Sequence, residues 1–238
     1  MREDWQTVKL GDVFETVTGN TPSKKNKEYY GEDVPLVKPP QLLNSSISDS
    51  DDKLSNAGAE VARVLPVDSI LVSCIGNLGK IGINTVKVAF NQQINAILPH
   101  QSKAIPKYLF HLCLSPDFRS QLESKSSGTT VPIVNKSKFN SISIPLPPLP
   151  EQERIVSILD KAFEGIDKAI AQTEQNLASA HELFESYLNN IFTQKGEDWV
   201  EKKLGDVTET ITKGSSPKWQ GIEYMEDRGV LFVTSENV

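Results

Sequence analysis

From Leu159 to Ile191, apolar or small residues recur by four and three in strict alternation: Leu159, Phe163, Ile166, Ile170, Thr173, Leu177, Ala180, Phe184, Tyr187 and Ile191. This is a heptad seam on one face of an α-helix. Between Glu151 and Gln194 there is no proline and only one glycine, Gly165, so the spacing predicts a helix of about 44 residues, roughly 65 Å long. A helix longer than the globular module it leaves cannot bury its stripe there alone and requires a long helical partner. The run Pro145-Leu146-Pro147-Pro148-Leu149-Pro150 ahead of it is expected to be a stiff extended spacer.

Upstream, the period changes. Residues 7–18 suggest a short strand or helical turn, followed by a turn-rich loop from Gly19 to Tyr30. Val34 to Val37, Val61 to Leu65, Ser69 to Ile75, Lys80 to Asn84 and Asn95 to Leu98 are β-rich runs, punctuated by Gly76, Gly79 and Gly82. Residues 44–58, rich in Asn, Ser and Asp, are expected to form an exposed loop. Pro106 to about Lys125 is expected to be one helix, with Leu109, Phe110, Leu112 and Cys113 turned to the core. Ile142 and Ile144 close the strand pattern. The expected class is α+β: a globular domain with a mixed or mainly antiparallel sheet and flanking helices, followed by a long coiled-coil helix.

The chain also repeats itself. Asp4-Trp5, Leu10-Gly11-Asp12-Val13, Glu15-Thr16 and Thr18 return as Asp198-Trp199, Leu204-Gly205-Asp206-Val207, Glu209-Thr210 and Thr212, offset by 194 residues. After the inserted Lys213 the offset is 195, and Gly19, Pro22, Glu28, Tyr29 and Leu36 align with Gly214, Pro217, Glu223, Tyr224 and Leu231. A repeat this long is a domain duplication, not a solenoid unit. The expected domains are residues 1–150, a complete module; 151–197, the helix; and 198–238, the opening strands of a second, incomplete module.

Composition and charge adjust this picture. With 238 residues and 38% hydrophobic content, there is material for one well-buried domain plus extended structure. No apolar run reaches membrane-spanning length, and Met-Arg-Glu-Asp-Trp is not an apolar leader, so the expected location is the cytoplasm, with no membrane partner. Cys74 and Cys113 sit in apolar stretches and are expected to be buried free thiols. His100, His111 and His181 are scattered, which predicts no metal site. The net charge of -6 is uneven: +2 over residues 1–150, -5 over 151–197 and -3 over 198–238. Within the first module, Lys24, Lys25 and Lys27 cluster in one loop, and Lys125, Lys136 and Lys138 flank Ser126-Ser127-Gly128-Thr129-Thr130.

Three patterns suggest chemistry and do not hold. Gly76-Asn77-Leu78-Gly79-Lys80 lacks the glycine spacing and the Ser or Thr after Lys of a phosphate loop. Asp117 and Glu123 fall six residues apart on the expected helix, too far round to clamp a metal. The Asn-Pro-Pro-aromatic signature of adenine methyltransferases, and its Asp variant, are absent.

Several elements together resemble the specificity subunits of type I restriction-modification systems. They are Lys9-Leu10-Gly11-Asp12, Gly19-Asn20-Thr21-Pro22, Tyr29-Tyr30-Gly31, the run Gly76 to Gly82, Asn91-Gln92-Gln93, and the junction Ile144 to Val156. Together with the duplication, they extend the resemblance over essentially the whole chain. It implies a non-catalytic protein with two target recognition domains, each reading half of a split site in double-stranded DNA, held apart by two antiparallel helices. It also implies docking of methyltransferase subunits, which methylate adenine with S-adenosylmethionine, and of a restriction subunit that acts as motor and nuclease. No cofactor of the chain's own is expected.

This chain has one complete recognition domain and one helix. Two copies about a twofold axis would restore the pseudosymmetric whole. The expectation is an antiparallel homodimer through Leu159, Phe163, Ile166, Ile170, Leu177, Phe184, Tyr187 and Ile191, recognising an interrupted palindrome. The helix would act as a ruler: four residues more or fewer, roughly 6 Å, should move the preferred spacer by one or two base pairs. Base reading needs donors and acceptors on loops. The expected DNA-binding residues are Ser23, Lys24, Lys25 and Lys27; Asn77 and Lys80; and Ser126, Thr129, Thr130 and Lys136. Gln92 and Gln93 are expected to support structure. The alternative function is a structural adaptor that binds protein through its helix and not DNA.

Overall fold

The computed structural model describes residues 5–128, 130–194, 196, 198–216, 221 and 233–234. It divides into two units, residues 1–171 and 172–238, with the boundary inside the long helix.

In the first unit, β1 (Gln6–Lys9), α1 (Leu10–Val13) and β2 (Thr16–Thr18) lead through a helical turn at Lys27–Tyr29 to β3 (Tyr30–Val37). Then come β4 (Ser45–Ile47), β5 (Lys53–Leu54), α2 (Asn56–Val61), β6 (Val64–Leu65), β7 (Ile70–Ser73), β8 (Ile81–Asn84), β9 (Val88–Phe90) and β10 (Ile94–Ile97). Three short helices, α3 (Pro106–Cys113), α4 (Pro116–Ser124) and α5 (Lys136–Asn140), precede β11 (Ser143–Leu146) and the long α6 (Leu149–Thr193).

The strands form a five-stranded sheet of order β2-β10-β7-β8-β4, a four-stranded sheet of order β5-β3-β9-β6, and the ribbon β1-β11. Pairing is antiparallel except β4 with β8 and β3 with β9. The class is therefore the mixed α+β arrangement that the patterning predicts.

Period-two alternation in β7 and β10 builds two cores. Ile70, Val72, Ile81 and Ile97 pack with Leu109, Phe110, Cys113, Phe118, Leu122 and Phe139 of the helices. Leu71, Ile94 and Ala96, with the opposite parity, pack with Val37, Leu65, Val88 and Phe90 of the other sheet. The five-stranded sheet is thus covered on both faces, which explains why its strands read as apolar runs. Both cysteines are buried free thiols; burial raises the Cys74 thiol to about 12 and pushes Cys113 higher still, so neither is a reactive thiolate.

Three sequence expectations are corrected. The helix expected over Pro106–Lys125 is two helices. Pro116 cannot continue the first, and the Ser115 hydroxyl caps the second by accepting from Phe118 N–H at 3.2 Å. The loop expected at 44–58 contains β4, β5 and the start of α2, because its backbone pairs with strands far away in sequence; Ile47 and Leu54 are core residues. The proline run is not a free spacer. Pro145 lies in β11 opposite Thr7, and α6 already begins at Leu149, with Pro150 in its first turn where no N–H is needed.

The root of α6 is fixed to the module by named contacts. Gln152 is fully buried: its Oε1 accepts from Ile105 N–H at 2.9 Å, and its Nε2 donates to Lys103 O at 3.1 Å and Pro147 O at 2.8 Å. Two turns on, Lys107 pairs with Asp160 at 2.7 Å; this half-exposed pair contributes at most about 1 kcal/mol. One turn further, the Phe163 ring stacks on His111 of α3, with centroids 5.6 Å apart and planes 17° apart.

Burial holds His111 below the ordinary imidazole range, and Lys107 adds to this, while Asp160 opposes it. Among the described residues, its Nε2 is buried without a hydrogen-bond partner. Folding therefore favours the neutral ring. The stability tied to it is present above about pH 6.5, the unfolded value, and is lost as pH falls through the depressed folded value. Denaturant midpoints measured from pH 7.5 down to 5 should fall, and His111→Phe should remove part of that slope.

In the second unit, α7 (Leu204–Val207) repeats α1. The residue before each turn has nearly the same backbone, φ -72° and ψ 144° at Lys203 against -78° and 141° at Lys9. Surroundings differ: Leu10 is fully buried and its N–H donates to Ile142 O at 2.8 Å, whereas Leu204 is 67% exposed. The opening strands expected of this copy are not formed among its described residues. In the first module those strands exist only through pairing with β10 and β11, and β11 is already paired with β1. The repeat positions Pro217, Glu223, Tyr224 and Leu231 lie outside the described residues.

Candidate nucleic-acid interface

The register of the five-stranded sheet gathers several loops at one end. Residues following β2 and β7 and residues preceding β4, β8 and β10 all emerge there. Along this end lie the start of the Gly19 loop, the turn Asn91–Gln93, the Gly-rich turn 74–80 and Asn44. At about 4.8 Å per strand the row spans roughly 19 Å, the rise of five to six base pairs.

The Gly-rich turn is a rigid hairpin connection with no helix after it, unlike a phosphate loop. Gly76 and Gly79 have φ of +76° and +74°, a left-handed backbone that costs glycine nothing. Buried Ser73 pins the turn, accepting from Lys80 N–H at 2.9 Å and donating to Asn77 O at 2.5 Å. Gly76 N–H donates to Pro132 O at 3.0 Å, and bridges Ile75–Ile133 and Ser127–Ile133 lay the segment 127–133 alongside. Asn77 is left exposed at the tip.

This brings one subset of the expected residues together. A cleft of about 410 Å³ is lined by Asn44, Gly76–Lys80, Arg119, Glu123, Ser126 and Pro132, and so includes Asn77, Lys80 and Ser126. Thr130 is exposed on the adjoining segment, and Lys136 is exposed in the first turn of α5. Thr129 lies outside the described residues. The other subset is rooted on the same end but carried away from it. Thr18 Oγ1 donates to Asn95 Oδ1 at 2.6 Å and Thr21 Oγ1 to Gln92 Oε1 at 3.1 Å, fixing the loop base. Beyond Pro22, whose carbonyl takes the Tyr30 hydroxyl at 2.8 Å, Ser23, Lys24, Lys25 and Lys27 are exposed beside the start of β3. They do not line the cleft.

Gln92 and Gln93 serve the turn itself: Gln93 Oε1 accepts from Asn91 Nδ2 at 2.9 Å and Gln93 O from Cys74 N–H at 2.8 Å. Sequence reasoning missed Arg119, Glu123 and Asn44. The four-residue spacing of Arg119 and Glu123 was a legible ion-pair signal, but nothing local placed the pair over the Gly-rich turn. Asp117 and Glu123 have separate partners, Gln121 and Arg119. Among the described residues no group of three or more His, Cys, Asp or Glu is gathered as metal ligands would be, and no helix is long and apolar enough to cross a membrane.

Comparison with known proteins places the chain. The model of the type I restriction modification DNA specificity domain matches residues 2–177. The chain belongs to this family. A type I specificity subunit from Haemophilus influenzae, HindI, is 35% identical over 170 residues, covering 68% of this chain and 37% of the relative. The MjaIX specificity subunit of Methanocaldococcus jannaschii is 26% identical over 250 residues, covering 97% of this chain and 57% of the relative. The chain therefore spans about half the length of the specificity subunits it matches.

Two solved structures share the specificity-subunit fold. One, from a study of complex assembly in a type I restriction-modification system, has a TM-score of 0.63 at 21% identity over 81% of this chain and 46% of that one. The other, the HsdS subunit of Thermoanaerobacter tengcongensis, has a TM-score of 0.53 at 21% identity, over 70% of this chain and 39% of that one.

Proposed function

We propose that this chain is a sequence-specific DNA recognition subunit that directs the methyltransferase and restriction subunits of a type I restriction-modification complex to a bipartite site. The observation that carries the reading is the row of loops at one end of the five-stranded sheet, in a chain of the specificity-domain family. Residues 1–150 are the recognition domain, 151–197 the spacer and dimerisation helix, and 198–238 the start of a second recognition domain. The subunit does no chemistry of its own and works in the cytoplasm.

Asn77, Lys80, Ser126, Thr130 and Lys136 contact the DNA at this end of the sheet, while Ser23, Lys24, Lys25 and Lys27 reach the phosphate backbone alongside. Phosphate contacts release counterions, so affinity should fall steeply with salt. In fluorescence anisotropy with duplex DNA, replacing Lys24, Lys25 and Lys27 together by alanine should flatten the log-log salt slope by about 2 to 3. An unchanged slope would remove this loop from the interface.

The complete subunit is a homodimer. The seam residues Ile166, Ile170, Leu177, Phe184, Tyr187 and Ile191 are all exposed in the single chain, which supports burial against a second copy. Antiparallel pairing about a twofold axis sets the two recognition domains apart over a symmetric split site. Adenine methylation mapped across a genome carrying this subunit and its methyltransferase should give an interrupted palindrome; a one-part or asymmetric motif would reject the homodimer.

A further inference from the structure

The cleft beside the Gly-rich turn has a composition that a phosphate clamp would not have. Arg119 Nε donates to Glu123 Oε1 at 3.0 Å, one turn along α4, and both side chains are more than half exposed. Among the described residues, the terminal nitrogens of Arg119 donate no hydrogen bond. The pair is seated over the turn: a methyl group on Gly79 would lie 3.7 Å from Arg119 Cγ and 3.6 Å from Leu122. Leu122 and Phe118 are buried on the same helix, which fixes the rise and rotation of α4 against the sheet end. A carboxylate paired with Arg119 in a cleft that Lys80 also lines repels a phosphate backbone, but it accepts hydrogen bonds from an amino group.

We propose that Arg119 and Glu123 together read one G·C base pair. In the major groove guanine presents two acceptors, N7 and O6, which match the two-pronged guanidinium, and its partner cytosine presents an N4 amino donor, which matches a carboxylate. These groups lie side by side on one edge of the pair, as Arg119 and Glu123 lie side by side on α4. Exposed ion pairs one helical turn apart are weakly held, so Arg119 exchanges Glu123 for the guanine edge at little cost. Glu123 thereby holds the guanidinium ready before DNA arrives and rejects pairs with an acceptor in the cytosine position. This inference rests on the DNA-reading function proposed above.

The test uses the full chain in complex with the methyltransferase subunit of its own system, selecting from duplex DNA randomised across the site. The wild type should enrich a motif with an invariant G·C position. Arg119→Ala should reduce the preference for G·C at that one position by about 10- to 100-fold and leave the others intact. Arg119→Lys keeps the charge without the fork and should show the same local loss, and Glu123→Gln should weaken preference at the same base pair. An even loss over all sequences, rescue by Arg119→Lys, or effects of the two residues at different positions would overturn the assignment. A wild-type complex that enriches no motif would overturn the DNA-reading function itself, and this assignment with it.

Discussion

Replacing Gln152 by alanine should destabilise the module by about 2–4 kcal/mol, a large fraction of the usual stability of a small domain. The magnitude follows from what is left behind. Ile105 N–H, Lys103 O and Pro147 O all bond to this one amide, and Pro147 is itself buried. Buried groups that lose their partner cost about 1–3 kcal/mol each, offset here where exposed Lys103 and half-buried Ile105 can find water. Gln152→Glu should not rescue. Its carboxylate still accepts from Ile105 N–H, but it puts negative charge against the carbonyls of Lys103 and Pro147. Urea unfolding followed by tryptophan-independent circular dichroism measures both. Unfolding free energies within about 0.5 kcal/mol of wild type would show that the helix root is held elsewhere.

The second large effect concerns the seam. Phe163 stacks on His111 yet stays 46% exposed, so the stripe open to a second copy runs from Phe163 to Ile191, with Ile166 to Ile191 free of the module. Antiparallel pairing centred between Ala178 and Ser179 sets Ile166 opposite Ile191, Ile170 opposite Tyr187, Thr173 opposite Phe184 and Leu177 opposite Ala180. Small residues then face large ones at the centre, which lets the helices approach closely and fill the space evenly. Leu177, 59% exposed in the single chain, would lie next to the axis. Leu177→Asp places a charge there twice by symmetry. At about 2–3 kcal/mol per copy, dimer affinity should drop by at least about 100-fold. Sedimentation equilibrium should show monomer at micromolar concentration, with the circular dichroism of the globular module retained. A variant that still dimerises as tightly would reject the seam as the interface.

The parts of this fold that were legible in sequence are those whose cause is local. The 4–3 spacing of α6 records the helix and its apolar face, and the alternation in β7 and β10 records which side of each strand meets apolar neighbours. The turn at Leu10–Val13 is so local that Leu204–Val207 repeats it without its surroundings. What was hidden depends on distant partners. β4 and β5 are two or three residues long and exist through pairing with β8 and β3, so their polar composition suggested a loop. The break before α4 was written in Ser115-Pro116 but outweighed by the continuous apolar face on either side. Phe163 fits the heptad as well as its neighbours do, and spacing does not reveal that one face of its ring stacks on His111 while the residue stays 46% exposed. In the cleft, Asn77 and Lys80 were recoverable because glycines flag a turn, whereas Arg119 became a candidate only when tertiary packing set α4 over it.

The Gln152 clamp and the seam sit on the same helix and are phased by it. Each residue inserted between them turns the module by about 100° relative to the pairing face while moving it about 1.5 Å. Four extra residues leave it about 40° out of phase, and seven leave it about 20° short while adding about 10.5 Å. Length changes in α6 are therefore not a continuous adjustment but a set of discrete steps. Only those near whole turns, such as four or seven residues, bring both ends back close to their faces, so lineages of this subunit should jump between spacings and skip those that lie between.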